Sequence, residues 1–275
     1  MRPATAPRAV DLVRDLRILL RQTRYALVAT IRNSRSVVFG IVFPVILLIM
    51  FNSIFSSGKN STDTFHHHSV STRAYFTAGL AAYAIMLQGF STLAVAVTTQ
   101  RESGQLKRLR GTPMRSWTFI AAHMLRTIVF AIAMVVALLA IGRIAFQVHV
   151  SGSAVAGVAV YVALGTAAMA TLGMAITAYT PTVDAASSVG PFTAVILSFV
   201  SGIFIPVSAL PDWLSNVGHV FPLAPLADGM QRAVTGVGGG TGVTEHDVVL
   251  LAVWGAVGLV VAARRFRWVP QGVGA

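Results

Sequence analysis

The 275-residue chain contains no cysteine, and only nine of its residues are acidic. The first absence excludes disulfide bonds, thiolate-bound metals and a thiol nucleophile. Charged residues make up 11% of the chain, less than half of the roughly 25% that is typical of soluble domains. With 55% hydrophobic residues and a mean hydropathy of +0.73, this composition argues against a water-soluble globule.

Two kinds of motif that belong to enzymes are also missing. The chain has no Gly-x-x-x-x-Gly-Lys-[Ser/Thr] phosphate loop, the backbone cradle in which many ATPases hold phosphates. Residues 236–241 are glycine-rich but no lysine follows them, so we interpret them as a flexible outer loop. No loop gathers a nucleophile, a base and an orienting acid, which argues against enzymatic activity in this chain.

Long runs without charge are the main positive feature of the sequence. A membrane-spanning helix needs roughly 20 mainly apolar residues. Core helices of soluble proteins show a polar face, whereas these runs are apolar on all sides. We therefore predict an all-α integral membrane protein with six transmembrane helices, at about residues 37–56, 75–99, 119–144, 153–179, 187–209 and 247–264. Residues 1–36 then form a cytoplasmic segment, residues 37–267 the transmembrane domain, and residues 268–275 a cytoplasmic tail.

The basic residues lie mostly on one side of the predicted spans. Of the 21 lysines and arginines, all but Lys59, Arg73, Arg143 and Arg232 fall on the side of the two termini. Because loops rich in lysine and arginine stay in the cytoplasm, we expect both termini inside. The excess of arginine over lysine, with abundant alanine, valine and glycine, suggests a GC-rich bacterial genome and hence a bacterial inner (plasma) membrane.

The net charge of +12 has two possible meanings. A nucleic-acid-binding protein needs a basic patch with stacking aromatic side chains on a soluble surface, and the sequence has none. The basic residues instead act as topology signals and as partners of lipid headgroups. We therefore expect the lipid bilayer, and not nucleic acid, as a partner.

An amphipathic segment precedes the first span. Arg14, Arg17, Arg21 and Arg24 are spaced three, four and three residues apart, so they share one face of a helix. Leucines populate mainly the opposite face, a pattern typical of an interfacial helix with its cations at the lipid headgroups. We predict such an entrance helix at about residues 9–30. The alternative is a generic cytoplasmic extension with some helicity.

The loop after the second span carries a second, shorter amphipathic pattern. Leu106 and Leu109 lie three residues apart among basic side chains, and Gly111 to Pro113 end any helix there. A helix this short does not fold alone, so a partner or the membrane surface must support it. The alternative is an ordinary basic inside loop.

Four regions together carry a resemblance to a known family. They are Arg101-Glu102-x-Gly104 with Leu109 and Thr112-Pro113, the first span with Pro44, residues 201–214, and residues 222–232. In this order and spacing they resemble ABC-2 type export permeases, the membrane subunits of ATP-binding-cassette exporters, including the daunorubicin-resistance type. The likeness covers about residues 10–267. Lys107 and Arg110 depart from the family, which often has an acidic and an apolar residue at these positions.

The resemblance implies an ATP-driven exporter that moves a hydrophobic or amphiphilic substrate, a drug or a lipid, out of the cytoplasm or the inner leaflet. ATP and Mg would be bound by a separate ATPase, present in two copies, so that this chain itself holds no cofactor. The permease would pair with a second copy or a homologue. The residues expected to contact the ATPase are Arg101, Glu102, Gly104, Leu106, Leu109, Thr112 and Pro113.

Other functions remain as alternatives. A glycan exporter of the same superfamily is the nearest, and a non-transporting membrane scaffold or sensor belongs to a different class. A secondary carrier needs ionisable residues or broken helices at mid-membrane. The candidates Arg126, Arg143 and Asp184 all map near predicted span ends, which disfavours this third alternative.

The outer side of the chain is expected to be capped by the loop after the fifth span. Non-helical backbone at membrane depth has to be buried in protein or line a cavity. We therefore interpret residues 203–232 as short re-entrant or interfacial helices, marked by Pro206, Pro211 and Trp213, with the tryptophan at headgroup level. The alternative is a plain surface loop. For residues 66–68, three histidines in the first outer loop, we expect a solvated loop and no metal site.

Overall fold

Helices account for most of the chain. The computed structural model describes residues 21–25, 27, 28, 32, 38–55, 62–105 and 116–265. Its elements are a π-helical turn π1 (Val38–Val42), α1 (Phe43–Phe55), β1 (Thr62–Phe65), β2 (His68–Ser71), α2 (Thr72–Met86), a π-helical segment π2 (Leu87–Thr92), α3 (Leu93–Glu102), α4 (Ser116–Phe146), α5 (Gly152–Ile176), α6 (Val183–Val200), a 3-10 turn (Val207–Ala209), α7 (Asp212–Val220), α8 (Leu223–Thr235) and α9 (Glu245–Arg265).

Several of these helices have the length and the apolar composition of membrane spans. Within the described residues, five stretches qualify, namely Thr72–Glu102, Ala121–Phe146, Gly152–Ile176, Val183–Val200 and Glu245–Arg265. The predicted span at residues 37–56 corresponds to a shorter apolar helix, Gly40–Phe55. The prediction of a largely helical chain with several apolar helices that could cross a membrane is thus confirmed, while the count of six spans and the orientation of the termini stay predictions.

One helix occupies the centre of the bundle. Helices α2 and α3 are joined through π2 into one continuous stretch, and every residue of α2 except Arg73 is buried. Helices α1, α4, α5, α6 and α8 pack around α2. Small residues make this possible because alanine and glycine let neighbouring helices approach closely, and α2 contains Ala78, Gly79, Ala81 and Ala82 in succession around Leu80.

The π-helical segment π2 lies where the central helix meets α5 and α6. A Cβ atom placed on Gly173 of α5 would lie 2.4 Å from the carbonyl oxygen of Gly89, and one on Gly190 of α6 would lie 2.7 Å from Ser91 Oγ. On another side, Gln88 Nε2 donates a hydrogen bond of 3.1 Å to the carbonyl of Gly40 in π1. Three neighbouring elements therefore meet the central helix at its one irregular segment, and such π-bulges are frequent at functional sites.

The helix at the predicted fifth span is shorter than the sequence suggested. We placed the end of that span at residue 209, whereas α6 ends at Val200. Gly202 follows with φ of +75°, a left-handed conformation that ends helices. Its carbonyl oxygen accepts hydrogen bonds from Tyr75 Oη at 2.6 Å and from Gln231 Nε2 at 3.3 Å. The turn after α6 is therefore fixed to both the central helix and α8.

A small hairpin precedes the central helix, in a region where the sequence had indicated only a solvated loop. Strands β1 and β2 pair antiparallel, with Phe65 opposite His68. The two turn residues, His66 and His67, have φ of +47° and +63°, which two-residue hairpin turns of the type I′ class require. Histidine is among the residues that adopt positive φ more readily than most. Phe65 and Val70 pack on Tyr75 and Phe76, so the hairpin is part of the folded body.

Short helices occupy the region after the fifth span. Pro206 precedes the 3-10 turn, and Pro211 precedes α7. Trp213, in the first turn of α7, is 68% exposed. Helix α8 differs from α7 because most of its residues are buried against the bundle. The assignment of this region to the outer cap, with Trp213 in the headgroup layer, stays a prediction.

Candidate functional site

The central helix ends at the segment that carries the family resemblance. Its last turn contains Arg101 and Glu102, and Gly104 follows with φ of +71°. The Gly104 amide donates to the carbonyl of Arg101 at 3.2 Å, and the Ser103 amide donates to that of Thr99 at 3.0 Å. A glycine in this conformation ends a helix because it has no Cβ to clash. The helix therefore ends abruptly, just before the amphipathic pattern of the loop.

Arg101 lies inside the protein, with 1% of its surface exposed. Its Nη1 donates to the carbonyl of Thr177 at 2.7 Å, and its Nη2 donates to the carbonyls of Thr180 at 2.6 Å and Pro181 at 3.0 Å. These carbonyls belong to the turn between α5 and α6. The planar guanidinium suits this arrangement, because it offers several N–H donors in a rigid fork. A cation at the C-terminus of α5 is also favoured by the helix dipole.

Glu102 binds the same turn from its other end. Its Oε1 accepts a hydrogen bond of 2.9 Å from the backbone N–H of Val183, the first residue of α6. The Thr182 hydroxyl accepts from the Ala185 amide at 3.2 Å, so side-chain acceptors occupy two N–H groups that have no partner within the helix. A carboxylate at a helix N-terminus is further stabilised by the dipole. Adjacent residues of α3 thus cap the end of one helix and the start of the next.

The surroundings of this turn are apolar and closely packed. Leu93 and Val97 of α3 pack with Ala170 and Met174 of α5 and with Ala262 of α9. Beside them, His123 of α4 lies 3.2 Å from Gln100, measured from Nε2 to Oε1. Residues of α3, α4, α5 and α9 therefore pack together at this end of the bundle.

The predicted contact residues are thus only partly placed by the structure. Leu106, Leu109, Thr112 and Pro113, and Arg14 and Arg17 of the entrance helix, lie outside the described residues. Arg21 and Arg24 lie in the helical stretch 21–25 and are both exposed, whereas Thr23 between them is buried. Arg101 and Glu102 come together with the turn between α5 and α6, and the sequence analysis did not predict this contact.

A second polar cluster lies at the other end of the bundle, and the sequence analysis missed it. Arg232 of α8 forms ion pairs with Asp228 and, at 3.3 Å, with Asp247 of α9. Asp247 also accepts from the Thr244 hydroxyl at 2.7 Å and from Tyr161 Oη at 3.2 Å. His66 Nε2 lies 2.7 Å from Asp228 Oδ1. We call these six residues the outer polar cluster, meaning the cluster at the end of the bundle away from Arg101; it joins the hairpin, α5, α8 and the start of α9.

This cluster is not a metal centre. In the part of the chain that the structure describes, no group of three or more His, Cys, Asp or Glu side chains is arranged to hold a metal ion. The Arg232 guanidinium instead lies between the two carboxylates. The i, i+4 spacing of Asp228 and Arg232 on α8 was visible in the sequence, but their approach to Asp247 and His66 was not.

Comparison with known proteins agrees with the resemblance. Residues 18–234 match the family model described as ABC-2 type transporter, a range that contains Arg101, Glu102 and the α5–α6 turn. Over 237 residues the chain is 17% identical to "Putative transport permease YvfS" of Bacillus subtilis (strain 168), and this alignment covers 86% of the chain and 92% of that protein. Permeases of this family normally pair with an ABC ATPase. The chain belongs to the ABC-2 type transporter family and is a multi-pass membrane component of an ABC transporter.

Proposed function

We propose that this chain is the permease of an ATP-driven exporter and that a separate ATPase moves it by binding the loop that follows α3. The observation that carries this proposal is the burial of the central helix, which ends at Glu102 and leads along the chain directly into that loop. Displacing the loop displaces α3 and, through π2, α2. Since closely packed interiors transmit strain instead of absorbing it, the helices around α2 have to move as well.

In this proposal the ATPase binds the segment from Gly104 to Pro113 together with the entrance helix. Leu106 and Leu109 supply the apolar contact, and ATP and Mg are bound on the ATPase. Both termini lie in the cytoplasm, and six spans form half of the membrane channel. The bilayer is that of a bacterial inner membrane, in keeping with the side on which the basic residues cluster.

A second permease completes the channel, either a copy of this chain or a homologue. Helix α6 supports this part of the proposal because it presents an exposed row of large apolar side chains. Val189, Phe192, Ile196 and Phe199 are spaced three, four and three residues apart and are 38–67% exposed, so they lie on one face. On the opposite face of α6, Ala186, Gly190 and Ala194 are buried in this chain.

We propose a hydrophobic or amphiphilic substrate, such as a drug or a lipid, exported from the cytoplasm or the inner leaflet. This is supported by the described spans, whose exposed surfaces are mainly apolar. A glycan exporter would use the same ATPase, so only substrate assays separate the two. A scaffold would bind no ATPase, and a secondary carrier would stop when the proton gradient is collapsed but would tolerate ATP depletion.

The first test is co-purification from the native membrane in mild detergent, followed by mass spectrometry. We expect a stoichiometric ATPase with a phosphate loop, in two copies for two permease chains. Leu109→Asp should remove the ATPase, because an ionised carboxylate in an apolar contact is strongly unfavourable. The matched control Val217→Asp alters an exposed residue of α7 and should keep the ATPase. Permease that reaches the membrane without any ATPase, before and after crosslinking, would contradict the proposal.

A further inference from the structure

We propose that Arg101 and Glu102 do not bind the ATPase but act inside the chain, as a link that makes the α5–α6 turn and the inner end of α6 move together with α3. This inference rests on the proposed function, because it concerns how a displacement of the loop after α3 reaches α6. It reassigns two residues that the family resemblance had marked as contacts. Their role is to position α6, and the ATPase contact falls to the residues that follow them.

The burial of Arg101 is the first argument. A guanidinium with 1% exposure cannot touch another subunit without leaving its pocket. Leaving would break three charge-assisted hydrogen bonds, to Thr177, Thr180 and Pro181, and would leave carbonyls at the end of α5 without partners. Nε makes no hydrogen bond within the described residues, so Nη1 and Nη2 carry the whole link. A buried cation with three charge-assisted hydrogen bonds holds its neighbours in one arrangement.

The direction of the two caps is the second argument. Arg101 holds the turn by carbonyl oxygens, and Glu102 holds it by the N–H of Val183. These groups have opposite polarity and lie on either side of residue 182. A shift of α3 therefore acts on the turn at two separate points, the carbonyls that follow α5 and the N–H that begins α6. A single hydrogen bond would allow rotation about itself, whereas this pair resists both sliding and rotation of the turn against α3.

A second contact with the central helix, farther along α6, determines how α6 moves when its first turn is displaced. Gly190 lies directly against Ser91 of π2, close enough that a Cβ atom there would lie 2.7 Å from Ser91 Oγ. Helix α6 is thus held to the central helix at two levels, about seven residues or roughly 10 Å apart along its axis. When α3 is displaced, the inner end of α6 follows it, while the contact at π2 provides the point about which α6 tilts.

The absence of cysteine from the chain allows a direct test by spin labelling. One label pair, Thr99→Cys with Arg265→Cys, reports the movement of α3 relative to α9. The other, Ser188→Cys with Arg265→Cys, reports the movement of α6 relative to α9. All three positions are exposed. Distances are measured by pulsed electron spin resonance in the complex with its co-purified ATPase, without nucleotide and with ATP, Mg and vanadate. Both distances should change in the otherwise native chain.

Three variants break the link in different ways. Arg101→Lys keeps the charge but loses the fork of donors. Glu102→Ala removes the acceptor. Val183→Pro removes the N–H donor at the first position of a helix, where proline is well tolerated, and Thr182 already has the extended conformation, with φ of −120° and ψ of 158°, that a following proline requires. In each variant the α3 distance should still change with nucleotide, whereas the α6 distance should lose most of its change.

Glu102→Gln separates this inference from an ionic contact with the ATPase. The glutamine amide oxygen still accepts from Val183, so movement of α6 should be retained, whereas an ion pair with the ATPase would be lost. Thermal melting of each variant shows that the fold is intact. A full nucleotide-dependent change in the α6 distance in Arg101→Lys, Glu102→Ala and Val183→Pro would overturn the link. If the ATPase binds but neither distance changes in the native chain, the proposed function itself fails.

Discussion

Replacing Arg232 by alanine should lower the free energy of unfolding by about 3–5 kcal/mol, because it leaves the Asp247 carboxylate buried without its cation. Asp247 has a side-chain exposure of 3%, and Arg232 is its ion-pair partner at 3.3 Å. The same guanidinium also pairs with Asp228. Its removal therefore brings two carboxylates of the outer polar cluster together without any arginine between them.

The cluster offers its own controls. Asp247→Asn should cost less than Arg232→Ala, since an amide oxygen can still accept from Thr244 and Tyr161 and carries no charge. The double variant Arg232→Ala, Asp247→Asn should regain part of the loss, because the uncompensated charge is gone. Arg143→Ala, at an exposed arginine of α4, should be close to neutral. The melting temperatures of the native chain, the two single variants and the double variant, all measured in one detergent, give the coupling between Arg232 and Asp247.

The same series has a clear contrary outcome. If Arg232→Ala and Arg143→Ala melt alike, the ion pairs of the outer polar cluster contribute nothing measurable. If the double variant is destabilised by the sum of the single changes, Arg232 and Asp247 act independently. The first result would show that apolar packing holds the hairpin, α5, α8 and α9 together, and the second that the two side chains contribute without coupling to each other.

Gly173→Ala should destabilise the bundle by about 3 kcal/mol, the upper end of the usual cost of inserting a methyl group into a packed core. The new Cβ would lie 2.4 Å from the carbonyl oxygen of Gly89 and 2.7 Å from that of Phe90. Both are backbone atoms of π2, which cannot rotate away as a side chain does. Helix α5 would have to move away from the central helix, or π2 would have to change its conformation.

A glycine on another spanning helix provides the matched control. A Cβ atom on Gly255 of α9 would lie 3.5 Å from Ala168 Cα, which is an ordinary contact. Since alanine is favoured over glycine in a helix interior by about 1 kcal/mol, Gly255→Ala should leave the melting temperature unchanged or raise it. Equal melting of the two variants would mean that π2 adapts easily, and that the close approach of α5 has little weight in stability.

The sequence predicted the helices better than it predicted their packing, and a comparison of α2 with α6 shows why. Runs without charge determine that a segment is an apolar helix, since a backbone in lipid has to satisfy its hydrogen bonds internally. The same runs do not distinguish a helix buried on all sides, such as α2, from one with an exposed apolar row, such as α6. Both faces are equally apolar in sequence, because lipid and protein interior select similar side chains.

The sequence pattern also failed to predict where some helices and strands end. The turn before Pro206 was placed within a span, although Gly202 ends α6 two residues after Val200. The hairpin was missed because its turn residues are His66 and His67 instead of the asparagine and glycine that usually mark such turns. In both cases residues with positive φ decide the structure, and composition over a window of residues does not detect them.

By itself, the sequence determined the class of the protein: charge-free runs predict several apolar helices, and the order of its motifs points to a permease that needs a separate ATPase. The tertiary structure decided what the charged residues do. The family resemblance assigned Arg101 and Glu102 to the contact with the ATPase, yet they bind a turn 76 to 81 residues away in the chain. Hydrogen bonds of this kind depend on which backbone groups are left unpaired at helix ends, and only the folded arrangement brings those ends to the arginine and the glutamate.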